Sequence, residues 1–278
     1  MLLSSNGGTK MNGLNLEHFR AGRPNLQEDR WLLWLVAWFP AFFVVVALGV
    51  MVFTPRLYFY SVQEDGILEW ATALAFAAAG GFAFLLASRL WRDGRTVLAV
   101  LYTGLAAGML FAMFEEISWG QRVLNIESPE FFKEHSTKNE INIHNLQQFP
   151  LGPAFIAVGF YGAFSWLLVP GSVRRRFPFE VELLTPGAAV STYFLVTFLL
   201  YTYFEYVYYT VMRPLGITIR RDYGWDDHFI IGKDQEAVEL LLAIGFLIFV
   251  VNNGQRHKAL RAAKAPSPPA PAIPVTQD

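Results

Sequence analysis

The chain has 278 residues, of which 54% are hydrophobic, 16% aromatic and only 16% charged. A soluble domain carries about a quarter charged residues, so this composition excludes an ordinary water-soluble fold and predicts membrane-buried helices. A net charge of −1 offers no basic field to nucleic acid, and the absence of cysteine removes disulfides, thiolate metal sites and Cys nucleophiles.

Residues 1–30 are polar and rich in Gly and Asn, which predicts a mobile cytoplasmic segment. Six apolar blocks follow, near 31–53, 66–88, 97–114, 153–170, 186–209 and 237–251. They predict an all-α, polytopic membrane helix bundle of about six transmembrane helices over 31–253, with short interfacial helices in the outer loops. The first block is too long for the apolar core of a signal peptide and is expected to remain as an anchor. After Asn253 the chain becomes basic and then Pro/Ala-rich, so residues 254–278 read as a disordered cytoplasmic tail.

Basic residues set the orientation. Arg20, Arg23 and Arg30 precede the first block; Arg89, Arg92 and Arg95 fill the second connection; Arg174, Arg175 and Arg176 fill the fourth; and Arg256, Lys258, Arg261 and Lys264 follow the last. The positive-inside rule makes these segments, and both termini, cytoplasmic. The acid-rich loops 115–152 and 210–236 then lie outside, where Tyr201, Tyr203, Tyr206, Tyr208 and Tyr209 would form an aromatic belt.

On that outer side the second helix is read from Ser61, with Ser61 and Glu64 spaced as a capping box and Asp65 beside them. Glu69 falls a turn or more deeper, inside the apolar block, where an unpaired charge is costly. The third helix ends Phe114-Glu115-Glu116-Ile-Ser-Trp119-Gly-Gln-Arg122, placing acids where the helix dipole opposes them. A continuing helix would align Glu115, Trp119 and Arg122 on one face, with Arg122 offsetting a carboxylate or holding an anionic substrate. Ser128-Pro129-Glu130 reads as the start of a short surface helix carrying Phe131 and Phe132. Beyond it, a helix through Ile141, His144 and Asn145 would point those residues together.

Glu205 sits among the tyrosines of the fifth helix, and Trp225-Asp226-Asp227-His228 occupies the last outer loop, where solvation accounts for the acids. The sixth helix opens Asp234-Gln-Glu236-Ala-Val-Glu239, with Asp234 and Glu236 suited to dipole compensation and Glu239 deeper.

Carboxylates and a His converging at a membrane interface point to a divalent metal site. Carboxylate oxygens suit Mg or Mn, and His admits Zn. Glu69, His144 and Glu239 are the candidate ligands, and Glu115, Glu116 and Arg122 the candidate catalytic groups. The favoured reading is a membrane-embedded metal-dependent hydrolase or transferase acting on a lipid-linked substrate at the outer face, with membrane lipid as its surroundings. A proton- or cation-coupled transporter and a non-catalytic scaffold are the alternatives.

The stretch FEEISWGQR, from Phe114 to Arg122, with NEINIHN from Asn139 to Asn145, resembles a pattern in uncharacterised bacterial polytopic membrane proteins. The resemblance covers most of the membrane region and implies a bacterial inner-membrane protein. Glu115-Glu116 and the Phe131-x-x-x-His135 spacing are also similar, more loosely, to the motifs of CAAX-protease-like intramembrane enzymes. That family's Arg stands four residues beyond the second Glu, a position held here by Gly120, with Arg122 two residues later.

Overall fold

The computed structural model describes residues 30–62, 66–136, 140–143, 146, 151–212, 214–215 and 235–264. The predicted N-terminal segment, the chain beyond Lys264, Glu64, Asp65, His144, Asn145, Asp226, Asp227, His228 and Asp234 lie outside these residues.

Within a bilayer every backbone N–H and C=O needs an internal partner, so long apolar blocks become helices. The described residues form α1 (Arg30–Phe53), α2 (Pro55–Val62), α3 (Ile67–Arg92), α4 (Thr96–Glu116), α5 (Gln121–Leu124), α6 (Glu130–His135), α7 (Leu151–Leu168), α8 (Gly171–Arg176), α9 (Pro178–Leu184), α10 (Ala188–Thr202) and α11 (Glu236–Lys264). A π-helical stretch, Tyr203–Met212, continues α10, and a 3-10 turn, Ser118–Gly120, follows α4. No strand occurs among the described residues, and the all-α membrane bundle expected from the sequence is the observed architecture. Among the described residues five helices are long and apolar enough to cross a membrane, or six when α9 and α10, bent by 43° at their junction, are taken as one span.

The layers follow from contact. α3 packs along α4 and along α11; α11 also meets α10, which packs on α7 and on α1. The α3–α4 seam is built from small residues (Ala79, Ala83, Ala99 and Ala106 are all buried), which lets the backbones approach as membrane helices do in the absence of a hydrophobic drive. α1 leans on α10 through Phe39 and Tyr193, whose rings stack at 6.2 Å, and shows most of its remaining surface outward.

Several boundaries move from their expected places, each for a local reason. Ser61 lies inside α2 and donates to Leu57 O at 2.8 Å, and α3 starts instead after Gly66, with no side-chain cap. Glu69 is therefore in the first turn of α3 and not deeper. Glu239 likewise lies in the first turn of α11. α6 begins after Pro129 at Glu130, because Ser128 Oγ accepts a bond from Gln121 Nε2 at 2.7 Å in place of capping the helix. At the other extreme α11 runs past residue 253 to Lys264, well into the segment read as tail.

That extension is held by a polar knot. Tyr102 Oη donates to Leu183 O at 2.6 Å, while Asn253 Nδ2 donates to Tyr102 Oη at 2.7 Å and to Leu183 O at 3.0 Å. Arg256 Nη1 donates to Glu182 O at 3.1 Å, and His257 Nε2 meets Asp93 Oδ2 at 2.7 Å. The last carbonyls of α9, which a helix C-terminus leaves without intrahelical partners, are thus capped by α4 and α11. Arg95 pairs with Glu180 at 3.1 Å beside them. The basic connections accordingly gather at one end of the bundle.

A candidate cation site at the opposite end

α3, α4 and α11 run between the two ends, so the start of α3, the end of α4 and the start of α11 share the end away from the Arg-rich connections. Glu116, the last residue of α4, meets Glu236 and Glu239 from the first turn of α11 there. Each offers a carboxylate oxygen, and the three oxygens lie within 4.8 Å of one another. Glu239 is buried, and its Oε1 accepts a 2.6 Å bond from the hydroxyl of Tyr201, which is fully enclosed and stacked on Phe155 at 4.3 Å. Glu69, half-buried in the first turn of α3, stands outside this triangle but within electrostatic reach of Glu116.

Magnitudes decide what such a cluster needs. Two unit charges 4 Å apart repel by about 4 kcal/mol at an effective dielectric near 20. A helix N-terminus returns only roughly 0.3–1 kcal/mol per nearby acid. That covers a fraction of the cost for Glu236 and Glu239, and Glu116 sits at a C-terminus where the dipole has the wrong sign. A proton, a basic side chain or a bound cation can supply the rest. Oxygens bound to one Mg or Ca ion at about 2.0–2.6 Å lie at most about 5 Å apart, so the observed spacing fits a single shared ion. The group contains neither His nor Cys, and oxygen-only donors favour Mg, Mn or Ca over Zn.

No family model, curated protein or solved structure matches this chain. The functional reading therefore stands on the site's own chemistry.

The sequence candidates separate on the structure. Glu116, read as a catalytic group, and Glu239, read as a metal ligand, come together, and Glu236, assigned beforehand to dipole compensation, joins them. Its spacing from Glu239, three residues along one helix, was the available signal, since such positions are surface neighbours. Tyr201, placed in an aromatic belt, turns inward as a partner of Glu239.

Glu115 belongs elsewhere. Buried one residue away, it accepts bonds from Trp119 Nε1 and from the Ile143 amide, both at 2.6 Å. The helix does not continue to align Glu115, Trp119 and Arg122 as a row. α4 stops at Glu116, and Ser118, Trp119 and Gly120 all take positive φ, at 46°, 54° and 76°. The Arg122 backbone lies in α5, and its side chain is outside the described residues, as is His144. Residues 140–143 are not helical, contrary to expectation, because their polar groups bond across to the turn after α4. Ser118 Oγ donates to Glu140 Oε2 at 3.0 Å, Asn142 Nδ2 to the same oxygen at 2.8 Å, and the Ile141 amide to Gln121 Oε1 at 2.7 Å.

His135 is exposed, stacked on Phe131 at 4.7 Å, and Glu205 packs against the first turn of α7 at Gly152.

Tyr201→Phe isolates the role of the hydroxyl. It removes the bond that orients Glu239 and keeps the ring stacked on Phe155. Outer-shell bonds of this kind are worth about 10–100-fold in metal affinity. A loss in that range, with little change in thermal stability, is the expected result of Mn titration; an unchanged affinity would detach Tyr201 from the site.

Proposed function

We propose that this chain is a membrane-embedded, divalent-metal-dependent hydrolase or transferase acting on a lipid-linked substrate, with Glu116, Glu236 and Glu239 holding the ion. The observation that carries the reading is the approach of three carboxylates, from two helices, to within 4.8 Å at one end of the bundle. A metal bound there would polarise a phosphoryl or acyl oxygen and lower the pKa of a bound water. The protein's own part is positional: Tyr201 orients Glu239, and Glu69 supplies a further carboxylate beside Glu116 for a water or a second contact. The arginine-rich end marks the cytoplasmic face by the positive-inside rule, which puts the carboxylates at the outer face of a bacterial inner membrane.

The interior argues for chemistry at one face over passage through the bundle. Below the carboxylates, the buried positions include Phe76, Ala79, Ala83, Leu241, Ala243 and Val250. The hydroxyls of Thr72 and Thr197 are turned back onto Leu68 O and Tyr193 O of their own helices. A proton or cation path needs polar steps through that depth, and among the described residues the polar groups concentrate at the two ends.

The test is the metal content of the detergent-purified full chain, offered Mg, Mn and Zn in turn. The expected outcome is one equivalent of Mg or Mn, removable by chelator, and in sealed vesicles of known orientation exchangeable from the side opposite Arg95. Lipid phosphates and esters are then the substrates to screen. No metal under any of these conditions would eliminate the reading in favour of a scaffold, and cation flux in the same vesicles would favour a transporter.

A further inference from the structure

The connection after α4 encloses polar side chains while several large apolar ones stay exposed beside its charged residues. In a segment bathed by water, polar side chains face outward and apolar ones inward. Here Ser118 and Asn142, each 1% exposed, are enclosed together with Glu115, Ser128 and Glu140. Their bonds to one another and to Trp119, Gln121 and the Ile143 amide occupy the interior of the unit. Its outer surface carries Leu124 at 67% exposure, Phe131 at 54%, Ile126 at 47% and Trp119 at 45%. With Asn125, Glu127, Glu130, Lys133, Glu134 and His135 exposed beside them, this mixed surface suits the boundary between lipid and water, where buried polar groups find partners inside and apolar ones face lipid.

The apolar surface is continuous with the exposed flank of a membrane span. Trp119 stacks on Phe114 at 5.3 Å and meets Phe111 edge-on at 5.7 Å, and both phenylalanines belong to the outward face of α4 with Val100 and Leu101. The left-handed turn at Ser118 to Gly120 folds the chain back along that flank. Glu130, Lys133 and Glu134 are also exposed, and they mark the depth: charged tips at the headgroups, apolar side chains below them. Over residues 117–143 the sequence holds Glu127, Glu130, Glu134 and Glu140 against Arg122, Lys133 and Lys138, a near-balance that suits a zwitterionic lipid surface.

We infer that residues 117–136 and 140–143 are immersed in the interfacial layer of the bilayer, with lipid covering Trp119, Leu124, Ile126 and Phe131. The carboxylate end of the bundle is then walled on this side by lipid, and a lipid headgroup reaches it without leaving the membrane. The immersion stands independently of whether the carboxylates hold a metal.

The chain has no cysteine, so single cysteines report cleanly. Leu124→Cys, Ile126→Cys, Phe131→Cys and Glu134→Cys, with Val100→Cys as the span control, are spin-labelled in the full chain in phosphatidylcholine vesicles. Collision with oxygen, which partitions into lipid, is compared with collision with a water-soluble nickel chelate. All five positions are exposed, so the labels leave the packing undisturbed. The expected oxygen-to-nickel ratio at 124, 126 and 131 approaches that of position 100 and exceeds that of position 134. Ratios at the three positions equal to position 134 would place the unit in water and overturn the inference. Shielding from both reagents would overturn it too, because a protein surface would then be the cover.

Discussion

Glu116→Gln is expected to weaken divalent-cation binding severely and leave the fold intact, and Glu115→Gln to keep cation binding and lower stability. The two residues are adjacent and chemically identical, yet their surroundings are opposite. Glu116 contributes one of three oxygens lying within 4.8 Å of one another. Its amide analogue keeps the shape, removes a ligand charge and relieves the repulsion with Glu236 and Glu239. Affinity for Mn should fall by more than the roughly 10–100-fold typical of an outer-shell change, with an unchanged or raised melting temperature.

Glu115 is a buried acceptor for Trp119 Nε1 and the Ile143 amide. A glutamine side chain in its place offers one acceptor oxygen and turns an NH2 towards a donor. Hydrogen bonds to charged groups contribute about 1.5–3 kcal/mol, and a stranded buried donor costs a further 1–3 kcal/mol or so. The loop over residues 140–143 should loosen and the melting temperature should drop. The readouts are Mn titration and thermal unfolding in detergent for both variants; the same phenotype in both would contradict the division of labour between the neighbours.

Gly162→Ala is expected to be the most damaging single-methyl change in the bundle. A Cβ at Gly162 of α7 would lie 2.1 Å from Phe194 Cγ and 2.7 Å from its Cβ, atoms close to the α10 backbone. The Phe194 ring cannot retreat, being buried and met edge-on by Phe246 of α11 at 5.1 Å. Gly159 repeats the problem one turn away, where an added Cβ would stand 2.8 Å from the Phe198 amide nitrogen. The helices must separate, and overpacking of this kind costs about 1–3 kcal/mol, occasionally more. Gly81→Ala and Gly104→Ala are the controls, since nothing lies within 4 Å of a Cβ at either. Alanine is the better helix former by up to about 1 kcal/mol, so both should be neutral or slightly stabilising. If Gly162→Ala melts with the wild type, α7 and α10 do not pack as described.

Much of the architecture was legible beforehand because membrane spans are local features. Length and hydropathy locate a helix without reference to its neighbours, so the blocks near 31–53 and 97–114 correspond closely to α1 and α4. The departures cluster where side chains of distant residues intervene. Ser128 reads as an N-cap until Gln121 takes its hydroxyl, and NEINIHN reads as a helix until Ser118 and Gln121 take its polar groups. The tail beyond Asn253 is helical to Lys264 because α9 and the α3–α4 turn supply partners for Asn253, Arg256 and His257.

The FEEISWGQR stretch divides on the same principle. As a sequence it is one motif; in the fold Glu116 faces the carboxylates, while Glu115, Ser118, Trp119 and Gln121 tie down the following loop. Successive residues on a helix diverge by about 100°, so adjacency alone predicts opposite surroundings without saying which residue takes which.

The sequence by itself determined the helical spans, the clustering of arginines at one end of them and of acids at the other, because apolar length and charge placement act along the chain. Only the tertiary structure decided that Glu116, Glu236 and Glu239 converge while Glu115 does not. Convergence depends on which helices are neighbours and how each is rotated, and that is set by the packing of small residues along the α3–α4 seam and by the seating of α11 between α3 and α10.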